Sequence, residues 1–505
     1  MKTRFCLLLA FLCSLLPPRL PAAGAELVTV IDRGPHSTVV QTVLPDGTTN
    51  HYTQLQTGLN RWSETDEQYV PASDEVELVN GLPLARKTQY QATFGATLDA
   101  SVGAVDVLMP DGKRFRARPA GIAYTEFKSG QPGKSVFVAE TKASAADLSG
   151  RSEVSYPDAL SGVAAAVRYR VSLSGLEQDI VLGGALPQPG DFQMDEKLVR
   201  VEVWNEILES PPPEVQASDI VRADGSVDRD EQLAFAAMLL GPGNAIDGVG
   251  KSIRVARQWQ TISGKVFLIE SIPYFELKPF LAALPAQAAA SRIDPDKLEA
   301  LSAGSGSSGR LRPVSLAMIS SARQKGYREV ASGKAGAPGR APALIWDWVL
   351  LANATNFTFK GDTTWYVSGP VTLSVTGTNA TVIEGSAVVK FTNSSSAQIT
   401  ISGPVACQTS AYRPAVFTSK DSNALGEKIA GSTGSPSGFY GYGLYLYNSA
   451  TLHDLRFLYA NTAITLPGQR NLTLQDSQFI SCFNAILGAN YGAFNLENDL
   501  FDNLV

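Results

Sequence analysis

Between residues 452 and 505 the apolar and polar positions of the chain recur at a fixed interval. Leu452, Leu474 and Leu496 lie 22 residues apart, and so do Phe457, Phe479 and Phe501. Asp454, Asp476 and Asn498 form a third column, and Ala460, Cys482 and Leu504 a fourth. Ile464 is matched by Ile486. A period above about 20 residues with apolar positions in register marks a stacked repeat. Inside each unit the apolar residues stand two or three apart, which suits short strands better than a helix. The pattern predicts a right-handed parallel β-helix with 22-residue rungs.

Upstream the period shortens to two. Val167, Tyr169, Val171 and Leu173 alternate with Arg168, Arg170 and Ser172, and Val199, Val201 and Val203 repeat the alternation. Two Pro-Asp-Gly turns, at Pro45-Asp46-Gly47 and Pro110-Asp111-Gly112, each separate two strand-like runs. Proline presets the first turn dihedral and Asp-Gly accepts the rest, so each predicts a hairpin. Residues 231–240 read as a short helix and residues 265–272 as a buried strand. Residues 26–285 are therefore expected to form a β-sandwich-like region, with a possible division at the three prolines near 211. Residues 286–342 are rich in Ala, Gly and Ser and are expected to act as a flexible linker, with a short helix near 294–301. The β-helix is expected over 343–505, with residues 346–360 capping its open end. The fold class is all-β.

Composition adds an address. Lys2 and Arg4, an apolar run, and Ala23-Gly24-Ala25 give residues 1–25 the three parts of a signal peptide. No later apolar run approaches the length of a membrane-spanning helix. The expected location is secreted or at the cell surface. A net charge of -6 argues against nucleic acid as a partner. Only Cys407 and Cys482 follow the signal segment, too few for a disulfide framework, so two separate free thiols are expected. The solenoid reading also implies a further cap beyond Leu504, so the chain is expected to continue in a longer protein.

Residues 401–464, with a Gly-Pro strand leading into Pro-Ala-Val-Phe-Thr-Ser, resemble the pectate-lyase-like β-helix domains of large exported bacterial surface proteins. The resemblance extends over about 345–505. Residues 156–182 are more loosely similar to a β-rich module near the N-termini of such proteins. These likenesses imply export and a modular surface architecture, and they transfer no catalytic residue.

Candidate chemistry is sparse. Gly248-Val249-Gly250-Lys251-Ser252 has the tail of a phosphate loop, but position 245 is Ala where the motif needs Gly. His36, His51 and His453 have neither triad nor metal-ligand context. Asp454 and Asp476 would stack one rung apart, close to the carboxylate spacing of a retaining glycosidase. With Asn498 below them they could instead hold Ca²⁺, or simply serve as turn residues. No other cofactor is implied. Tyr440, Tyr442, Tyr445 and Tyr447 form an aromatic run, and Tyr445 and Tyr447 are expected on the outer face, where rings stack on sugars. The Asn-x-Ser/Thr triplets at Asn353, Asn356, Asn379, Asn393 and Asn471 read as turn and ladder residues. The functional expectation is an exported structural or adhesive protein contacting polysaccharide or a cell-surface protein. The alternative is a polysaccharide lyase or glycoside hydrolase using carboxylates on the β-helix.

Overall fold

The computed structural model describes residues 26–504, except 286–342 and short breaks at 100, 102, 129, 236, 248–250 and 489–491. The expected signal segment, the linker and its short helix lie outside the described residues. The fold is all-β, with N-terminal sheets and a C-terminal parallel β-solenoid of about six turns.

Residues 76–284 build two large sheets that pack face to face on one core. One has its centre in the long strands Arg114–Lys128 and Val199–Glu209, and the other in Ala165–Ser172 and Gly175–Leu182. Phe115 of the first meets Phe235 and Trp348 of the second edge-on, with ring centroids 5.5 and 6.0 Å apart. The second Pro-Asp-Gly turn forms its hairpin here, Arg114 opposite Leu108 and Gly112 at φ +80°. The alternation at 167–171 is also as expected, the apolar members being buried and Arg168 and Arg170 half-exposed. Lys265–Pro273 is the expected buried strand. Residues 231–240 are not a helix. They supply parts of the strands Val227–Phe235 and Met238–Leu240, which fold back on each other with Phe235 opposite Met238. The short helix Tyr274–Ala282 carries Pro279, which hid its helical character in the sequence.

The solenoid has three faces of parallel strands, one of them split into two three-stranded sheets, wound around a continuous apolar core. Its final rungs follow the repeat: Leu452 pairs with Leu474 and Leu474 with Leu496. Phe417, Phe457, Phe479 and Phe501 form a ladder of near-parallel rings, with successive centroids 4.7, 5.3 and 5.2 Å apart. Each such pair adds about 0.5–1.5 kcal/mol beyond the area it buries. Cys482 is fully buried in this core, and neither cysteine is in a disulfide. Gly443 has a steric reason: a Cβ there would lie 2.4 Å from the Ala463 carbonyl oxygen of the next rung.

The two halves exchange strands, which corrects the expected boundaries. The first Pro-Asp-Gly hairpin, Ser37–Val43 with Thr49–Leu55, is not in the sandwich. Together with Leu27–Arg33 it extends a solenoid sheet, because Thr49–Leu55 pairs in parallel with Thr364–Val367. Leu55 enters the solenoid core, Thr57 N–H donates to the Pro370 carbonyl at 3.0 Å, and the Thr57 hydroxyl accepts from Thr372 N–H at 2.6 Å. In return Leu344–Ala352, expected to begin the cap, is an inner strand of the ten-stranded sandwich sheet. It runs antiparallel to Gly175–Leu182, and Trp346 and Trp348 are fully buried. Trp346 and Trp348 are too apolar for a solvent-facing cap, whereas the polar-apolar alternation of Ser37–Val43 suits a one-sided cover.

Residues 420–439 then close over the outside of the cap. Ile429 packs on Val40 and Tyr52, and Lys428 forms an ion pair with Glu26. Beneath them Lys390 is wholly buried, its Nζ donating to the carbonyls of Ser422 and Glu427, both at 2.7 Å. Burial lowers its pKa to about 8.

The exchange makes a prediction. A protease site engineered between residues 286 and 342 should, when cut, leave two fragments that elute as one complex on size exclusion without denaturant. Separation of the fragments would contradict the strand exchange.

Candidate functional site

Asp454, Asp476 and Asn498 occupy the same turn of three consecutive rungs, and all are left-handed, with φ of 50°, 50° and 57°. Asn and Asp tolerate this region better than other side chains because they hydrogen-bond locally. The column continues upward through Asp362 and Ser386, at φ 53° and 70°. Asn498 Nδ2 donates to Asp476 Oδ1 at 2.5 Å. Asp454 Oδ2 lies 2.9 Å from His453 Nδ1, and the Thr409 hydroxyl donates to the His453 carbonyl at 2.7 Å. These residues therefore shape turns and support one another along the edge of the solenoid. Among the described residues no three His, Cys, Asp or Glu side chains converge as a metal cluster. A parallel column, Tyr459, Ser481 and Asn503 at φ 63°, 51° and 52°, escaped sequence reading because only Asn503 is a typical turn residue.

The aromatic run is not an exposed stripe. Tyr440 points into the core and stacks on Phe391, with centroids 4.4 Å apart and planes within 6°. Tyr442 and Tyr445 are half-buried, and Tyr447 is only 4% exposed. Leu444 and Leu446 do fill the core, so the expected facing is right for them. The outward side is not bare: Tyr447 is buried, and Tyr445 and Tyr447 both feel the charge of Arg254 in the sandwich, Tyr447 also those of Arg257 and Asp230. Burial pushes the Tyr447 phenol well above its ordinary pKa.

Behind these rings lies a buried polar network. Asp230 and Arg257 are both fully buried. Asp230 Oδ1 accepts from Arg257 Nε at 2.9 Å, and Oδ2 accepts from Arg254 Nη2 at 2.9 Å and Arg257 Nη2 at 3.2 Å. Burial alone would raise the Asp230 pKa, but Arg257 and Arg254 hold it below the usual range. Glu270, directly across the strand pair from Arg257, is also fully buried, and neither of its oxygens has a hydrogen-bond partner among the described residues. Burial drives its pKa well above the ordinary value in spite of Arg257.

In front of the network is a cleft of about 350 Å³ between the halves. Gln216, Ser218 and Gln232 line it from the strands Glu214–Val221 and Val227–Phe235, and Tyr447, Ser449 and Arg470 line it from the solenoid. Arg470 donates from Nη1 to the Gln469 carbonyl at 2.9 Å and from Nε to the Tyr447 carbonyl. No sequence signal marked this cleft, because its residues come from segments more than 170 positions apart. No family model matches the chain, and comparison with curated proteins gave no match either.

Two predictions follow from this geometry. Because Asp454 holds a positive φ, Asp454→Gly should stay within about 0.5 kcal/mol of wild type, whereas Asp454→Val should cost about 1–2 kcal/mol in urea titration. Equal effects would exclude the turn role. For Glu270 the folded pKa lies above the unfolded one, so as pH rises past 4.5 the unfolded chain releases a proton that the folded chain keeps. Stability is then lost progressively with rising pH. Glu270→Gln, which cannot ionise, should melt near wild type at pH 4 and above it at pH 8. Parallel melting profiles would show that Glu270 titrates normally.

Proposed function

We propose that this chain is an exported structural and adhesive surface protein, whose solenoid and sandwich together present an extended, rigid surface to polysaccharide or to another surface protein. The observation that carries this reading is the strand exchange. A solenoid sheet runs on into Thr49–Leu55, and the strand leading into the first rung is embedded in the sandwich. Two modules joined in this way resist being pulled apart, because separation would break rows of backbone hydrogen bonds rather than bend a tether. Solenoid faces suit extended partners for the same geometric reason, each rung repeating the surface of the last. The signal-like residues 1–25 and the likeness to pectate-lyase-like β-helix domains of bacterial surface proteins support export. Among the described residues no helix is long and apolar enough to cross a membrane. The enzymatic alternative gains little support, since Asp454 and Asp476 are engaged as turn residues with His453 and Asn498.

Expression with the native N-terminus in a bacterial host, followed by fractionation and N-terminal sequencing, tests export. The expected product begins at Glu26 and is found outside the cytoplasm. Uncleaved protein held in the cytoplasm would refute that half. The purified chain should bind a polysaccharide array or bacterial surfaces without releasing reducing ends or unsaturated sugars. Retention on neither would end the adhesive reading, and product release would favour the enzyme.

A further inference from the structure

Closing the first rung does not remove the open sheet edge; it moves that edge outward. The nine-stranded sheet that contains the phenylalanine ladder ends in Leu27–Arg33, which pairs with Ser37–Val43 and with no second strand among the described residues. Sheet edges are usually shielded by a proline, a charged side chain or a covering loop. The run Leu27-Val28-Thr29-Val30-Ile31 has neither proline nor charge, and all five residues are exposed. Leu27 is 59% exposed, Val28 49%, Val30 42% and Ile31 50%. Successive side chains alternate, so Leu27 and Val28 stand on opposite faces and both faces of the strand are bare. The 420–439 segment reaches only the start of the strand, where Lys428 and the Gly431 N–H hold the Glu26 carboxylate. Apolar side chains exposed singly need no explanation, but a contiguous run of them on a free edge marks an interaction surface.

The form of the edge selects the partner. Leu27 to Val30 stand in regular register opposite Val43 to Val40, and the one bulge falls beyond Val30. The outward N–H and C=O groups therefore form a ladder that another extended strand completes. A second copy brings the same apolar strand, and an antiparallel pairing about a two-fold axis near Thr29 and Val30 matches each bare face with its equal. The ends are complementary in charge. Asp32 and Arg33 close the strand without an ion pair among the described residues, Arg33 Nη1 donating to Asn60 Oδ1 at 3.0 Å. Glu26 and Lys428 stand paired at the opposite end. The two-fold sets the Asp32–Arg33 end of one copy against the Glu26–Lys428 end of the other, so a carboxylate meets a cation of the other copy at both ends. A parallel pairing would set each end beside its own duplicate. The two-fold also uses up both free edges, so assembly stops at two.

The geometry points to a homodimer joined through Leu27–Arg33, in which the capped ends of two solenoids share one continuous sheet. The last rungs of the two copies then lie at opposite ends of the assembly. A partner with repeated sites is held by two solenoid surfaces instead of one, which raises avidity without any new contact to the partner. The inference holds whatever that partner is.

Sedimentation of the exported chain over about a hundredfold range of micromolar concentration tests it, since a junction one strand wide lies at the small end of protein interfaces. A monomer giving way to a dimer, with nothing larger, is the expected result. Val30→Lys should raise the dissociation constant about tenfold or more, and its dilute monomer should melt with wild type because the side chain is exposed. On mild oxidation Thr29→Cys or Val30→Cys should give a covalent dimer, whereas Val215→Cys, exposed on the edge strand Glu214–Val221, should not. A monomer at every concentration overturns the proposal, and if that monomer takes up a synthetic alternating Val-Thr peptide, the edge belongs to a foreign strand. A dimer that ignores Val30→Lys and is linked by neither cysteine has its contact elsewhere, which also overturns it. Species growing beyond the dimer overturn the two-fold closure.

Discussion

The first rung of a β-solenoid exposes a row of unpaired backbone N–H and C=O groups beside an open apolar core, and the rest of this structure depends on how that edge is closed. Water could satisfy the polar groups but would leave the core wet, and a bare edge would recruit other strands. Here the closure is made by residues from the opposite end of the chain. Thr49–Leu55 pairs with Thr364–Val367, Leu55 seals the core, and two more antiparallel strands carry the sheet outward. Residues 420–439 then shield the outer face through Ile429 and the buried Lys390.

That closure brings the sandwich and the solenoid together along a second line, where polar rather than apolar groups meet. Tyr445 and Tyr447 lie within the field of Arg254, and Asp230 satisfies two guanidinium groups at once. A buried ion cluster contributes little net stability, because desolvation offsets much of the attraction. Its effect is on orientation within the sandwich: the guanidinium fork bonds only in a narrow range of angles, which fixes Ala256–Ile262 of one sheet against Val227–Phe235 of the other.

The sequence made the last rungs readable and concealed the first for a simple reason. In the sheet that contains the phenylalanine ladder, Thr364 pairs with Val388, Val388 with Val416, Val416 with Arg456, Arg456 with Gln478 and Gln478 with Leu500. Successive rungs therefore span 24, 28, 40, 22 and 22 residues, and only the uninterrupted pair shows a period. The 40-residue rung carries the 420–439 insertion that covers the cap. Hairpins with Pro-Asp-Gly turns were legible because their chemistry is local, but which sheet each hairpin joins was not. Local alternation places a side chain on a face without saying what covers that face, which is why Tyr445 and Tyr447 read as exposed. Residues 231–240, rich in Ala and Leu, became strands because an adjoining sheet supplied the backbone partners that propensity could not foresee. The cleft left no trace, since neither of its walls is a motif.

The embedded strand Leu344–Ala352 also sets a clock. It lies inside a sheet whose other members end before residue 285, so those strands are made long before their neighbour exists. As the chain emerges from the ribosome, or from an export channel, Gly175–Leu182 must wait with one edge unpaired until more than 160 further residues have appeared. The sandwich therefore closes late, at the moment the first solenoid rung is also forming. During that interval the open edge is the natural substrate for a chaperone, and the sheet that receives Leu344–Ala352 is not completed by folding from the N-terminus forward.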